Sequence, residues 1–341
     1  MGYDVTIGMP VYKSVDYIKR SLESALSQSY LSVEFLIVDD AGCDGSMAVV
    51  RNFQKTHPRG QDIHIITHQA NQGVSASRNQ LIDEAQGEYL YFMDSDDIIS
   101  TDCISLLMQQ ICQCDAEIAF GSYEKIGTDG RREVYQYPEL QLLGEDQLAS
   151  FSYRKYAGIQ ASACNYLVKT SLLREYHHRF IDTNYWEDFV FTFDLVTLVK
   201  RAVLLPNITY TYVCRENSLS HYQERPVISK DEILQNIRTI DELKKTSLPL
   251  SHKKYFPNRC LLIVMTDFYM ACHILKRRKG ITPSVSHREI RDMMRHPATW
   301  HQICHFRQAR WQNMLLFLLG KLPPSCCVMF IWSIGNLKKI I

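Results

Sequence analysis

The chain has 341 residues, 46% of them hydrophobic and 22% charged, which excludes a disordered tail or a fibre and allows a sizeable buried core. Its net charge of +1 hides an asymmetry, because residues 1–250 hold 23 Lys and Arg against 34 Asp and Glu, whereas residues 251–341 hold 15 against 3. The basic part calls for an anionic partner, and since no nucleic-acid motif accompanies it, nucleic acid is not the expected one.

In chain order, Asp4–Met9 (DVTIGM) is short, apolar and β-branched, and the stretch after it places Ile18, Leu22, Ala25 and Leu26 at helical spacing. A strand followed by a helix is predicted. VEFLIVDD repeats the strand pattern and DGSMAVVRNFQKTH the helix; DIHIITH is a third strand, SASRNQLIDEAQ a helix, and EYLYFMD a fourth strand. Such alternation predicts an α/β protein with a mainly parallel sheet, helices on both faces, and ligands beyond the carboxyl ends of the strands.

Two acidic groups fall at those ends: Asp39 with Asp40, and Asp94, Asp96 and Asp97. Helix capping explains part of this, with Ser100 expected to cap a helix beginning near Thr101. It does not explain so many mutually repelling carboxylates. A hard divalent cation with oxygen ligands, Mg²⁺ or Mn²⁺, shared with a phosphate-bearing substrate, does. The eleven cysteines are scattered without zinc-type pairs, which fits reduced thiols.

Four ordered motifs, GMPVYKSVDYIKRSLESALSQSYLSVEFLIVDDAGCDGS, NQGVSASRN, GEYLYFMDSDD and YWEDFVF, together resemble family 2 of the inverting glycosyltransferases, which have the GT-A fold. The resemblance runs from about Val5 to Tyr222. It implies an enzyme moving a sugar from a nucleotide-sugar donor, of UDP type, to a hydroxyl of a glycan or lipid-linked acceptor, with inversion. Pro10 and Tyr12 then resemble the entry to the nucleotide pocket, Asp39 the acid that meets the base, and Asp40 a ribose-side or loop-supporting acid. Arg78 and Asn79 are expected near the donor. Asp94 resembles the ribose-contacting acid, Asp96 the metal ligand and Asp97 its helper. Asp188 resembles the general base, with Glu187 in reserve, while Arg215 is expected at the diphosphate and His221 at the metal. The alternative is a non-catalytic sugar- or nucleotide-binding relative acting as a scaffold. A dehydrogenase would need GxGxxG after the first strand, and GMPVYKS has one glycine.

Residues 1–223 are thus expected to form the GT-A domain and 224–341 a smaller helical, basic region. Within the latter, Ile233, Ile237, Ile240 and Leu243 keep helical spacing. The apolar pieces Met314–Leu319 and Val328–Ile334 are too short to span a bilayer, for which roughly 20 residues are needed. They suit either an interfacial anchor on an anionic membrane surface or a core or homo-oligomer face. The N-terminal stretch lacks a secretory leader pattern, so the expected location is cytoplasmic, peripheral on the inner face of the cell membrane.

Overall fold

The computed structural model of the protein describes residues 2–154, 158–183, 185–215 and 225–341. They divide into two compact units. The first comprises residues 1–148 and 161–218, the second 149–160 and 219–341. The cut expected at residues 223/224 therefore misses an internal piece, 149–160, that packs with the C-terminal unit.

The first unit begins as predicted: β1 (Val5–Val11), α1 (Ile18–Leu26), β2 (Val33–Asp39), α2 (Ser46–Thr56), β3 (Ile63–Thr67), α3 (Val74–Glu84) and β4 (Tyr89–Phe92). There follow β5 (Ile98–Ile99), α4 (Cys103–Cys114), β6 (Ile118–Ile126), β7 (Arg132–Tyr135), β8 (Leu140–Leu143) and then α5 (Gln147–Arg154), which belongs from residue 149 on to the second unit. After the second unit's short insertion come β9 (Tyr166–Lys169), α6 (Thr170–Glu175), α7 (Glu187–Leu195) and β10 (Arg201–Val213). The sheet order is β3-β2-β1-β4-β9-β6-β10-β5. The first four strands of that order are parallel, as the βα alternation requires. Beyond them β9 runs antiparallel between β4 and β6, and β5 antiparallel to β10, so the sheet is mixed.

β1 and β2 are buried almost throughout, which explains why both read as continuous apolar runs and not as alternating ones. Gly8 in β1 lets α3 lie close, since a Cβ there would meet the Leu81 side chain at 3.0 Å. Gly8 pairs with Phe92 of β4 and Val11 with Asp39 of β2, so both acidic groups leave the sheet along one edge. Ser100 does not cap the next helix: α4 starts at Cys103, and the Ser100 hydroxyl instead donates to Asp102 Oδ1 at 2.7 Å.

The second unit contains β11 (Ile228–Ser229), α8 (Lys230–Ser247), α9 (Phe256–Lys276), β12 (Ile281–Thr282), α10 (His287–Met293), α11 (Trp300–Cys304), α12 (Arg310–Leu319) and α13 (Pro324–Leu337). Ser229 and Glu232 form a capping box at the start of α8. Ile233, Ile240 and Leu243 face inward there. The buried Arg259 of α9 hydrogen-bonds Ser247 Oγ and Thr246 Oγ1, and Asp267 lies 2.7 Å from Lys244 Nζ. Buried charges here are therefore paired or bonded. Among the described residues no helix is long and apolar enough to cross a membrane.

Candidate active site

The NQG turn is organised by Asp40. Its buried carboxylate accepts hydrogen bonds from Asn71 Nδ2 (2.9 Å), Gln72 N (2.7 Å) and Gly73 N (2.9 Å), and pairs with His68 Nδ1 at 2.7 Å. Gly73, at φ +89°, allows the turn that starts α3. Asp40 thus supports the loop, one of its two expected roles, and the Gln72 and Gly73 amides serve it. Asp39 beside it is half-buried, and its Oδ1 accepts from Ala41 N at 3.1 Å. Pro10 is half-buried and Tyr12 exposed on the loop after β1.

One face of α3 holds the segment that leads to the Glu187–Asp188 pair. Ser75, Arg78 and Asn79 stand at i, i+3 and i+4, the positions that share a helix face. Ser75 Oγ donates to Thr183 O at 3.0 Å, and Asn79 exchanges two 2.8 Å hydrogen bonds with the backbone of Phe180. Asn79, expected at the donor, has both polar atoms of its side chain engaged by this backbone. Arg78 Nη1 donates to Glu187 Oε1 and Nη2 to Asp94 Oδ1, each at 2.9 Å. Its guanidinium also lies 5.3 Å from the Phe180 ring centroid. Phe180 in turn stacks on Phe191 at 3.8 Å, which fixes the base of this arrangement.

Glu187 is therefore occupied by Arg78, whereas Asp188, at the first turn of α7, accepts the adjacent Phe189 N–H at 2.7 Å, its one hydrogen bond among the described residues. Burial and the Glu187 carboxylate push the Asp188 carboxyl up to about 7, against the opposing pull of Arg78. Trp186, just before it, sits in the left-handed region at φ +61°, a strained conformation for a bulky residue.

In the second acidic group the three carboxylates separate. Asp97 is buried and turned inward, accepting from Tyr210 Oη at 2.6 Å and Val213 N at 2.8 Å. Burial, with Asp96 and Asp94 nearby, raises its carboxyl well above the ordinary carboxylate range. It ties β10 to this loop. Asp96 lies 2.5 Å from Arg215 Nε, whose N–H is not aligned for a hydrogen bond. Burial and Asp94 push the Asp96 carboxyl up to about 6, opposed by Arg215 and Arg20. Arg20 Nη2 further donates to the Asp96 carbonyl at 2.9 Å. Ser95 bonds Ser14 on the loop after β1, Oγ to Oγ at 2.7 Å.

A divalent cation fits the chemistry of this set: the donors are carboxylate oxygens, and the Asp96 carboxyl, raised first by burial and then by the neighbouring Asp94, would be held ionised by a cation beside it. Among the described residues no cluster of three His, Cys, Asp or Glu could hold one alone. His221 lies outside the described residues. Tyr210, Ser75 and Phe180 escape sequence reasoning, since each acts through a contact far away in the chain and none belongs to a recognisable motif.

Residues 6–175 match the family model for glycosyl transferase family 2. The chain is 27% identical over 223 residues to the succinoglycan biosynthesis protein ExoO of Rhizobium meliloti, covering 64% of this chain and 62% of that one. Of another curated relative the match covers 31%, so the chain spans less than two thirds of both. In fold it is similar to S. aureus TarS 1-349 in complex with UDP-GlcNAc, with TM-score 0.57, 16% identity, and 93% of this chain and 90% of that one covered. It is also similar to the mannosyltransferase PcManGT of Pyrobaculum calidifontis in complex with GDP-Man and Mn²⁺, with TM-score 0.52, 14% identity, and coverages of 99% and 88%. The GT-A-like core is thus shared, and with the match over the strands, turn and acidic loop described above the chain belongs to glycosyl transferase family 2.

Proposed function

We propose that the protein is a metal-dependent, inverting glycosyltransferase that moves a sugar from a nucleoside-diphosphate sugar, of UDP type, to a hydroxyl of a glycan or lipid-linked acceptor in polysaccharide biosynthesis. The observation that carries this reading is the Arg78 bridge, which joins the Asp94 loop to Glu187 and leaves Asp188 as the acid with a carboxyl near neutrality. A base is most effective when its pKa is close to the working pH. Asp188 takes the proton of the acceptor hydroxyl as that oxygen attacks the anomeric carbon. The bond from that carbon to the diphosphate oxygen breaks with its electron pair leaving on the diphosphate, and the configuration inverts.

In this reading Asp39 meets the base and Asp94 the ribose, and Asp96 would be the residue that holds Mn²⁺ or Mg²⁺. When bound, the cation acts as a Lewis acid for the negative charge on the leaving group. Arg215 supplies a further positive charge at the same place once released from Asp96. The relatives support the class of chemistry: ExoO is a succinoglycan biosynthesis protein, and the fold neighbours are in complex with UDP-GlcNAc and with GDP-Man and Mn²⁺.

The test is a panel of UDP-, GDP- and TDP-sugars, scored by thermal stabilisation with and without Mn²⁺. One nucleotide class should raise the melting temperature in a metal-dependent way, and Asp96→Asn should abolish the metal dependence. If no sugar nucleotide shifts the melting temperature under either condition, the reading fails.

A further inference from the structure

The helices α12 and α13 each present an apolar face to solvent. On α12, Trp311, Leu315 and Leu318 recur at i, i+4 and i+7, and on α13 Met329, Phe330 and Trp332 lie within one turn; these side chains are between 48% and 68% exposed. Each helix also has a separate buried face. Asn313, Leu316 and Leu319 point inward on α12, and Cys327, Val328 and Ile331 on α13. Met314 and Phe317 pack on a cluster containing Phe256, Ile303 and Phe306. Each helix thus carries a second apolar stripe, on the side where an ordinary amphipathic helix is polar.

The charge around these stripes selects the occupant. Residues 293–341 contain no Asp or Glu, while Arg310, Lys321, Lys338 and Lys339 flank or end the two helices. Arg310 lies over the exposed Trp311 ring at 5.4 Å, so this cation borders the stripe, and Lys321 lies over the half-buried Phe317 at 5.3 Å. Two copies meeting through these faces would bring like charges together. A surface of anionic phospholipid headgroups over acyl chains matches both features, accepting Trp, Phe and Leu at the boundary and Lys and Arg among the headgroups.

We propose that α12 and α13 form an interfacial docking surface for an anionic phospholipid leaflet, with Trp311, Leu315, Leu318, Met329, Phe330 and Trp332 entering the headgroup boundary. The proposal does not depend on the glycosyltransferase reading, and its test reads membrane binding alone. The full chain is mixed with vesicles of phosphatidylglycerol and phosphatidylcholine, or of phosphatidylcholine only, and floated on a density gradient. It should float with the anionic vesicles and stay behind with the neutral ones. Raising salt from about 0.1 to about 0.5 M should reduce the bound fraction several-fold, because the Debye length shrinks.

The triple variant Trp311→Ser, Leu315→Ser, Trp332→Ser should bind about tenfold less with an unchanged circular dichroism spectrum. A second variant, Arg310→Gln, Lys321→Gln, Lys338→Gln, Lys339→Gln, leaves the apolar face intact and should lose binding as well. Failure of the wild-type chain to float, or equal flotation with neutral vesicles, overturns the proposal. So does a lipid-free dimer that the triple variant dissociates, which would make a second copy the occupant.

Discussion

Asp94 and Glu187 share one cation: each has a carboxylate oxygen 2.9 Å from a terminal nitrogen of Arg78. Through this bridge the acidic loop after β4 and the first turn of α7 are held in a single geometry. Bidentate use of a planar guanidinium suits this task, because its two Nη groups diverge at a set angle. The arrangement also decides which acid of the Glu187–Asp188 pair remains available.

Arg78→Lys should weaken this link even though the charge is kept, since an ammonium cannot reproduce the planar fork. Arg78→Gln removes the cation from between two partly buried acids and should destabilise the protein by about 3 kcal/mol. Urea unfolding of the two variants measures this. An Arg78→Gln protein as stable as the wild type would show the bridge to be incidental.

Asp188→Asn should lower turnover by roughly 10²- to 10⁴-fold with donor binding nearly unchanged. Glu187→Gln should cost less in turnover and more in stability, since it loses the bond to Arg78. A larger turnover loss from Glu187→Gln would reverse the assignment of the base.

The pH dependence follows from the Asp188 carboxyl at about 7. As a base it acts only when deprotonated, so the rate should rise with pH and level off above about 7. For stability the sign is opposite. Between the ordinary value of 3.8 and about 7 the unfolded chain has lost this proton while the folded chain keeps it, so this group's contribution falls as pH rises through that window. Asp188→Asn should therefore gain stability relative to wild type at pH 8 and little at pH 4, as read by melting temperatures at the two values.

If Asp96 holds the cation as proposed, Arg215, 2.5 Å from it, would compete with the metal. Arg215→Gln should bind Mn²⁺ more tightly than wild type in the absence of nucleotide, and bind the nucleoside diphosphate less tightly in its presence. Isothermal titration of the metal alone, then of UDP with metal, separates the two effects. Lowering pH below about 6 should weaken metal binding in the wild type as Asp96 is protonated, and in Arg215→Gln, which lacks the cation that lowers this carboxyl, the loss should begin at a higher pH.

Tyr210→Phe removes the hydroxyl that donates to the buried Asp97 at 2.6 Å. Leaving that acceptor one partner short should lower stability by about 1–3 kcal/mol. Chemical denaturation gives the value. No change would mean that the Val213 N–H alone satisfies Asp97.

Local pattern was enough to read the β1-to-β4 half of the sheet, because each of those elements declares itself within a dozen residues: Ile18, Leu22, Ala25 and Leu26 recur with the helical period and are all buried. The motifs DSDD and WED were equally legible as acids at element ends. Their division of labour was not. Asp40 and Asp97 carry the same side chain as Asp39 and Asp96, yet Asp40 faces three donors of the NQG turn and a histidine, and Asp97 faces Tyr210 and Val213. Only the long-range approach of β10 and of the turn before α3 separates the inward acids from the others. The same holds for the apolar pieces near residues 314–319 and 328–334, which the sequence shows to be short and hydrophobic. Which of their residues meet the core and which meet solvent is set by packing in the second unit, since helical period defines a face but not what covers it.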